Sequence, residues 1–514
     1  PSDAAIAESF RIADVARSSV VQQALTAAAA RANIGDPELA AMARQEQDTQ
    51  HQIGALSTLL SELLAAPPAQ QLGGIQENLR RDIARLKEQR DTLLRQIVGR
   101  FPEYAELVWP QPVSLDKARA SLHAGDALLA FYLGERESYV WALDAQGRTN
   151  FSRVPVGRRQ VAEQVGQLRR ALDPGVVSID ELPDFDLAAA HTMYRQFLAP
   201  AASVWQGAKK LIVIPHGELA QLPLSLLPTA PAEIPAAAGE RFAGYRDVPW
   251  LVRQVAIEQL PSATALVSLR RLRERPIADG SFAGFGDPLF SAQQAAANAA
   301  EKGDAERGLA SRGVRLGLRS RPAIGQVESA ELAILPRLPD TGVEVREIAR
   351  VLHADPARDV FLQREATERR VLEMDLSNRR VLMFATHGLI PGDLDGLEQP
   401  ALAMTSPAVA PGAGTGLLTM DEVLSLRLDA DWVVLSACNT AAGEGAGAEA
   451  VSGLGRAFFY AGGRALLVSH WPVETVAARL LMTEMFRQQS AAPTLSKAEA
   501  LRRVKLAKEP PGRV

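Results

Sequence analysis

A cysteine and a histidine each follow a short apolar run in this 514-residue chain. Cys438, the only cysteine, ends the run that begins at Trp432, and His387 follows the run that begins at Arg380. Both runs predict short buried strands that open into small, glycine-containing loops. Parallel strands bring their carboxyl ends to one edge of a sheet, where α/β folds build their sites. We therefore expect the thiol and the imidazole to meet there, as a nucleophile and its general base.

The surroundings of Cys438 favour a reactive thiol over a packing residue, although packing is the commoner role of a free cysteine. Cys438 ends its strand instead of lying inside it. The residues on either side are small or polar, namely Ser436, Ala437, Asn439 and Thr440. The loop that follows contains the glycines Gly443, Gly445 and Gly447. Glycines permit a tight loop that approaches a peptide backbone closely.

Among the seven histidines, His387 has the setting that suits catalysis best. Four others lie in predicted helices or loops: His51, His123, His191 and His353. His216 also follows a predicted strand, Leu211–Ile214, but no cysteine follows it in its own half of the chain. His470 stands beside Ser469 and Trp471, and we interpret it as part of a pocket wall.

Composition and motifs argue against several other chemistries. The net charge of −4 and the pI of about 6.1 give no electrostatic basis for binding nucleic acid or anionic lipid. One cysteine and scattered histidines offer no zinc-site spacing, and neither a GxxxxGK[ST] phosphate loop nor a Gly-x-Ser-x-Gly elbow occurs. We expect no cofactor, no metal, no nucleic acid partner and no membrane partner.

The cellular setting follows from the same features. A single cysteine cannot form an internal disulfide, which fits a reducing cytoplasm. No apolar run is long enough to span a bilayer, and no secretory signal stands at the start. Because the chain begins at Pro1 instead of methionine, we expect it to be a piece of a longer protein.

The chain is long enough for two or three domains. We predict a helical region over 1–108, a first α/β half over 109–290, a mobile linker over 291–335 and a second α/β half over 336–514. Within the helical region, the Asp36-Pro37 pair predicts the start of a helix. Its apolar residues recur at three-to-four spacing: Leu56, Leu59, Leu60, Leu63, Leu64, Ile75, Leu79, Ile83, Leu86, Leu93 and Ile97. This region suits either the end of a helical solenoid or a helical collar on the next domain.

Strand and helix signals alternate beyond residue 110. The predicted strands are 127–133, 139–143, 211–214, 282–286, 380–386, 431–437 and 464–469. The predicted helices are 263–273, 341–353, 366–375 and 449–461. Such alternation predicts the α/β class, with a mostly parallel sheet flanked by helices. The run before His216-Gly217 also echoes the run before His387-Gly388, which suggests a duplicated sheet.

Several of these motifs resemble the CHAT domain, a caspase-like peptidase module often found behind tetratricopeptide repeats in bacteria. The matching stretches are Phe384–Gly388, Leu435–Thr440, Ser469–Val473, Gly416–Thr419 with Asp421-Glu422, and Val213–Gly217. His387 and Cys438 are also separated as in caspases (438 − 387 = 51), whose histidine precedes the nucleophile by about 50 residues. The resemblance covers roughly residues 110 to 505.

The resemblance implies a caspase-like, mostly parallel sheet, with an inactive half before the active half and a Cys-His dyad at Cys438 and His387. Three departures from the family pattern occur. His216 stands where the family commonly has an acidic residue, and His470 where an apolar residue is usual. The chain also ends at Val514, before the closing segment that the family usually has.

The dyad and the resemblance together predict a cysteine endopeptidase that cleaves a protein substrate through a thioester intermediate. The backbone amides of Gly388 and Cys438 are the expected oxyanion donors. One alternative is a catalytically silent interaction scaffold on the same fold. Another is a latent enzyme that needs an activating protein bound to the helical region.

The resemblance to caspase-like folds also implies the residues of the substrate pocket: Ser469, His470, Trp471 and Glu474. Glu474 favours a basic substrate residue, whereas Arg479 would suit an acidic one. The alternative for both, which we favour for Arg479, is a solvated charge at the start of a helix, so we expect a basic primary residue in the substrate.

The predicted linker is rich in arginine, with Arg307, Arg312, Arg315, Arg319 and Arg321. Its glycines and its lack of apolar periodicity predict an exposed loop that is open to cleavage. A pocket that accepts arginine would let the enzyme cut itself there. The other interpretation is a tolerated surface insertion.

Overall fold

The structure of the chain is a computed structural model. It describes residues 2–16, 37–65, 73–100, 113–172, 182–234, 242–270, 281–300, 311–312, 332–389, 391, 393–394, 397, 399–436, 454–455, 457–469 and 473–507.

The helices with assigned bounds are α1 (Asp3–Ala16), α2 (Pro37–Ala65), α3 (Gly73–Arg100), α4 (Leu115–Ala120), α5 (Arg158–Leu172), α6 (Leu187–Phe197), α7 (Ala202–Trp205), α8 (Leu251–Gln254), α9 (Ala263–Arg270), α10 (Ala292–Ala300), α11 (Pro339–Val351), α12 (Pro356–Asp359), α13 (Glu368–Glu373), α14 (Met420–Ser425), α15 (Thr475–Ala491) and α16 (Lys497–Leu506). Short 3-10 turns occur at Ala199–Ala201, Gly217–Gln221, Leu224–Leu226, Ala243–Asp247 and Gln363–Glu365.

The strands are β1 (Asp126–Leu133), β2 (Ser138–Asp144), β3 (Thr149–Val154), β4 (Lys210–Ile214), β5 (Ala256–Gln259), β6 (Phe282–Gly286), β7 (Ser311–Arg312), β8 (Val360–Leu362), β9 (Val381–Ala385), β10 (Gly388–Leu389), β11 (Ala401–Ala403), β12 (Leu417–Thr419), β13 (Trp432–Leu435), β14 (Leu466–Val468) and β15 (Val473–Glu474).

Residue contacts divide the chain into two compact units. The smaller one comprises residues 26–111 and 268–273, and the larger one comprises the remaining segments. In the smaller unit, α2 and α3 form an antiparallel helical pair around Ile53, Ile83 and Leu86. The pair is joined by a salt bridge of 2.7 Å between Arg90 and Glu46. α2 begins at Pro37, as the Asp36-Pro37 pair predicts.

The first sheet of the larger unit has the strand order β3-β2-β1-β4-β5. β1 and β2, which correspond to the predicted strands 127–133 and 139–143, pair antiparallel, and β1, β4 and β5 run parallel. α1 packs with this sheet, because Phe10 contacts Trp141 and the Asp14 carboxylate accepts hydrogen bonds from Ala263 N and Thr264 Oγ1 at the start of α9. The boundaries of the four sequence segments remain a proposal.

The second sheet is entirely parallel, with the strand order β14-β13-β9-β6-β8. Successive residues of β9 are fully buried on opposite faces, with Phe384 in one apolar cluster and Met383 in the other. Burial on both faces explains the unbroken apolar runs in the sequence. In chain order this sheet reads 2-1-3-4-5, so its topological switch point lies between β6 and β9.

The segment 291–335 contains described structure at both ends. Residues Ala292–Ala300 form α10, and Leu332 and Leu335 are buried in an apolar cluster. Ser311–Arg312 forms β7, which pairs antiparallel with β15. Four of the five arginines of the predicted linker lie outside the described residues, so the predicted mobility of their surroundings stays a prediction.

Candidate active site

His387 lies just beyond the carboxyl end of β9, and its side chain is held in one orientation. The residue is 3% exposed. Its Nε2 lies 2.8 Å from the Pro336 carbonyl oxygen, and the Phe290 ring packs 5.5 Å from the imidazole. Because a carbonyl oxygen can only accept, Nε2 carries the proton. Nδ1 is then the basic nitrogen of the neutral ring.

Cys438 lies outside the described residues, but the chain that leads to it is described through β13 and as far as Ser436. β13 lies next to β9, and its residues pair in parallel from Trp432 with Val381 to Leu435 with Phe384. The offset of this register (435 − 384 = 51) equals the separation of Cys438 and His387. Both residues therefore stand three positions beyond the last paired residues of two adjacent strands.

The end of β13 is fixed to helix α11. Ser436 Oγ donates a hydrogen bond of 2.8 Å to Oε1 of Glu344, and both side chains are buried. α11 packs against β6 because Gly284 has no side chain. A Cβ atom at that position would lie 2.5 Å from Val345. The helix thus holds Ser436, the residue that follows β13, in place.

Gly388 belongs to a small antiparallel sheet of β10, β11 and β12. Ala403 N donates to the His387 carbonyl oxygen at 2.9 Å, and Gly388 is paired with Leu402. Since hydrogen-bonded and non-hydrogen-bonded pairs alternate, Gly388 and Leu402 form a non-hydrogen-bonded pair. The N–H of Gly388 therefore points away from β11, on the outer side of this three-stranded sheet.

A buried carboxylate holds the turn that enters this small sheet. Oε2 of Glu368 accepts hydrogen bonds from Thr415 N at 2.7 Å, Gly416 N at 2.9 Å and Leu417 N at 3.3 Å. Gly414 has a φ of 97°, and a Cβ atom there would lie 2.6 Å from the Glu368 carboxyl group. This position therefore requires glycine. The start of the Gly416–Thr419 motif is thus held by hydrogen bonds from its backbone to Glu368.

Glu422 forms a capping box with Thr419, the last residue of the Gly416–Thr419 motif. Its carboxylate accepts hydrogen bonds from Thr419 N and Oγ1, both at 2.8 Å, and the Thr419 side chain caps α14. Burial raises the pKa of Glu422, and the neighbouring Glu368 raises it further, although the hydrogen bonds from Thr419 act in the opposite direction.

This raised pKa predicts a pH-dependent effect of Glu422→Gln on stability. A carboxyl group whose pKa is raised by folding binds its proton more tightly in the folded state, so stability falls as pH rises from its ordinary value of 4.5 through the folded-state pKa. Glutamine is neutral throughout and keeps an acceptor for Thr419. We expect the variant's melting temperature, relative to wild type, to rise between pH 4.5 and pH 7 in thermal unfolding. Asp421→Asn, on the exposed side of the same helix, is the matched control, and a difference that is constant with pH contradicts the prediction.

The structure describes the predicted substrate-binding residues only in part. Ser469 is half-buried just after β14. His470 and Trp471 lie outside the described residues. Glu474 is described by its backbone, which pairs with Ser311 of β7.

His216, the histidine that follows β4 in the first half, is bonded to a neighbouring strand. Its Nδ1 accepts a hydrogen bond of 3.0 Å from Leu133 N, and its ring stacks on Tyr132 at 4.5 Å. The basic nitrogen of this imidazole is therefore bonded to the backbone of β1, whereas in His387 it is the protonated nitrogen that meets a backbone group.

Sequence reasoning missed the groups that support the ends of β9 and β13. Pro336 and Glu344 carry no local signal, because their roles depend on contacts with residues 51 and 92 positions away. The capping box was detectable, since Thr419-x-x-Glu422 is a sequence signature of a helix start.

A family comparison fits this arrangement. The model of the CHAT domain matches residues 187–512, which is more than half of the chain. The chain therefore belongs to the CHAT domain family, a caspase-like, protease-related family, and its helix-flanked sheets with parallel strands are consistent with a caspase-like fold. A search of curated proteins found no match.

Two further searches cover only the part of the chain that the structure describes. No cluster of three or more histidine, cysteine or acidic side chains there could hold a metal ion. No helix in those residues has the length and apolar character needed to cross a membrane.

Proposed function

We propose that this chain is a cysteine endopeptidase with a catalytic dyad of Cys438 and His387. The observation that carries the proposal is the register of β9 and β13, in which the two residues follow adjacent parallel strands by the same number of positions. A role in packing alone gives no reason for the separation of Cys438 and His387 to equal the offset between the two strands. Membership of a caspase-like family supports the same reaction class.

In the proposed reaction, the Cys438 thiolate attacks the scissile carbonyl carbon and forms a tetrahedral oxyanion, which collapses to a thioester as the amine leaves. The His387 imidazole takes up the thiol proton at Nδ1 and returns it to the leaving amine. Such general acid–base catalysis contributes typically about 10²–10⁴-fold. Water then attacks the thioester, with the same nitrogen as the base.

The Pro336 carbonyl oxygen has a defined part in this scheme. It accepts the hydrogen bond from Nε2–H throughout, so it keeps the neutral ring in the tautomer with a basic Nδ1 and stabilises the imidazolium form. No third catalytic side chain is needed to orient the ring.

The backbone amides of Gly388 and Cys438 are the proposed oxyanion donors. The N–H of Gly388 points away from its strand partner Leu402, which supports its role as a hydrogen-bond donor to the oxyanion. Losing one such donor typically costs about 3 kcal/mol of transition-state stabilisation.

The proposed substrate is a protein segment in extended form, bound along Ser469, His470, Trp471 and Glu474. The pairing of β7 with β15 supports this, because the backbone of Ser311–Arg312 already lies antiparallel to Val473–Glu474. The backbone of Arg312 is paired with that of Val473, the residue that precedes the acidic Glu474 in the chain. A basic residue before the scissile bond is therefore our preferred specificity, and the arginine-rich linker is a proposed site of self-cleavage.

The first half, residues 109–290, is the proposed inactive counterpart of the catalytic half. It contains no cysteine, and His216, which follows β4, uses its basic nitrogen to accept a backbone hydrogen bond. The α2–α3 helical pair is the proposed surface for an activating protein, which would make the enzyme latent in isolation.

A peptide-library cleavage profile tests the proposed function. We expect cleavage after arginine or lysine, at least about tenfold faster than after aspartate, because a carboxylate at Glu474 favours a positive charge. Glu474→Gln should reduce this preference without abolishing cleavage. Cleavage after acidic residues would reverse the specificity. No cleavage of any peptide, with or without the chain's binding partner, would favour the silent scaffold.

A further inference from the structure

We propose that Asp287 is a positioning residue for the general base, acting through Arg337 and the Pro336 carbonyl group. This inference rests on the proposed function. Asp287 touches neither His387 nor the reacting atoms. Its role is to fix the backbone segment whose carbonyl oxygen binds the imidazole.

Asp287 and Arg337 form a bidentate ion pair. Arg337 Nε donates to Oδ1 of Asp287 at 2.9 Å, and a terminal nitrogen of Arg337 donates to Oδ2 at 2.8 Å. The Asp287 side chain is 5% exposed and that of Arg337 is 16% exposed. A bidentate, largely buried pair fixes the direction of both side chains.

The carboxylate is itself held from a second side. Gln363 Nε2 donates to Oδ2 of Asp287 at 3.0 Å, and Gln363 exchanges two hydrogen bonds with Asn298 of α10. The backbone N–H of Asp287 donates to Thr341 Oγ1 at 2.7 Å, inside the first turn of α11. The network therefore links the ends of β6 and β8 to the segment that leads into α11.

Asp287 and Gln363 both have a left-handed backbone, with φ angles of 48° and 55°. Residues other than glycine adopt this conformation infrequently, and it costs free energy that the surroundings must supply. Here it turns the two side chains toward the same place, at the carboxyl edge of adjacent strands. This edge adjoins the switch point between β6 and β9, where α/β sheets build their sites.

The connection to His387 is covalent and short. Pro336 precedes Arg337 in the chain, so an Arg337 side chain fixed on Asp287 limits how far the Pro336 carbonyl can move. That oxygen is 2.8 Å from Nε2 of His387. Loss of the ion pair would let the carbonyl drift, and a misplacement of about 1 Å at a site can cost about 10²-fold in rate.

The same sheet provides a matched control. At its opposite edge, Asp359 precedes β8 and forms a salt bridge with Arg379, with side chains 5% and 11% exposed. Arg379 also donates to the Phe282 carbonyl oxygen at the start of β6. The two ion pairs have similar burial, but only the first adjoins a residue that contacts His387.

The test uses Asp287→Asn, Arg337→Lys and Asp359→Asn in the full chain. Asparagine at position 287 tolerates the left-handed backbone and lacks the charge. Lysine at position 337 keeps the charge but cannot form the two parallel hydrogen bonds that arginine makes with a carboxylate. The readout is alkylation of Cys438 by iodoacetamide against pH, since the chain has no other thiol. Peptide cleavage is measured in parallel, and thermal unfolding checks that each variant folds.

We expect Asp287→Asn to lower kcat about 10- to 100-fold with little change in KM. The midpoint of its alkylation profile should move to higher pH, because a less stabilised imidazolium favours the thiolate less. Arg337→Lys should show a smaller change in the same direction. Asp359→Asn should lose comparable stability but keep the wild-type kcat and alkylation profile.

Equal kcat values and equal alkylation profiles for wild type and Asp287→Asn would overturn the proposal, as would the same kinetic loss in Asp359→Asn. Failure of the proposed function would look different. In that case the alkylation of Cys438 in the otherwise wild-type chain would not depend on His387, as judged with His387→Gln.

Discussion

Cys438→Ala is expected to abolish peptide-bond cleavage while leaving the fold intact. Alanine removes the only thiol of the chain, and no other group in the proposed scheme can form the acyl intermediate. The expected loss is at least about 10³-fold, the scale seen when a catalytic nucleophile is removed. Cleavage of a basic fluorogenic peptide by purified wild type and variant measures it.

The same pair of proteins tests self-cleavage. If the pocket accepts arginine, purified wild type should yield two fragments of unequal size that end within residues 291–335, whereas Cys438→Ala should stay whole. Equal fragmentation of both proteins would point to a contaminating protease. Undiminished peptide cleavage by the variant would contradict the assignment of the nucleophile.

His387→Gln is expected to lower kcat by about 10²–10⁴-fold, the usual contribution of a general acid–base group. Glutamine can still donate a hydrogen bond to the Pro336 carbonyl oxygen, so the surrounding backbone should keep its position. It cannot take up the thiol proton at neutral pH. Peptide cleavage and the rate of Cys438 alkylation at pH 7 both report the loss.

The first half provides the control for this experiment. His216→Gln changes the histidine that follows β4, whose ring is bonded to Leu133 N and stacked on Tyr132. We expect this variant to retain kcat within about twofold at some cost in stability, since one backbone hydrogen bond contributes about 1 kcal/mol. Equal activity of His387→Gln and wild type would remove His387 from the mechanism.

The strands that carry the dyad could be predicted from the sequence, because burial on both faces of a parallel sheet produces unbroken apolar runs such as 380–386. The structure places β9 within that prediction and β13 within 431–437. The choice of His387 over His216 followed only from the position of the cysteine, and the contact of His216 with Leu133 supplies a physical reason for it.

The supporting structure could not be predicted in the same way. Strands β10, β11 and β12 have two or three residues each, too few for any periodicity to emerge. α1 is held by Asp14 at the start of α9, a contact across 249 residues that no local pattern records. The ion pair of Asp287 and Arg337 likewise depends on tertiary contacts, since the two residues are 50 positions apart in the chain.

The most direct test of the central claim is active-site labelling by a peptidyl acyloxymethyl ketone with a terminal arginine, followed by mass spectrometry of the intact chain and of its peptides. The account predicts one adduct per chain, located on Cys438, which forms at least about 10²-fold more slowly in His387→Gln. The His216→Gln variant should react like wild type. No adduct on Cys438, or equal labelling rates with and without His387, would contradict it.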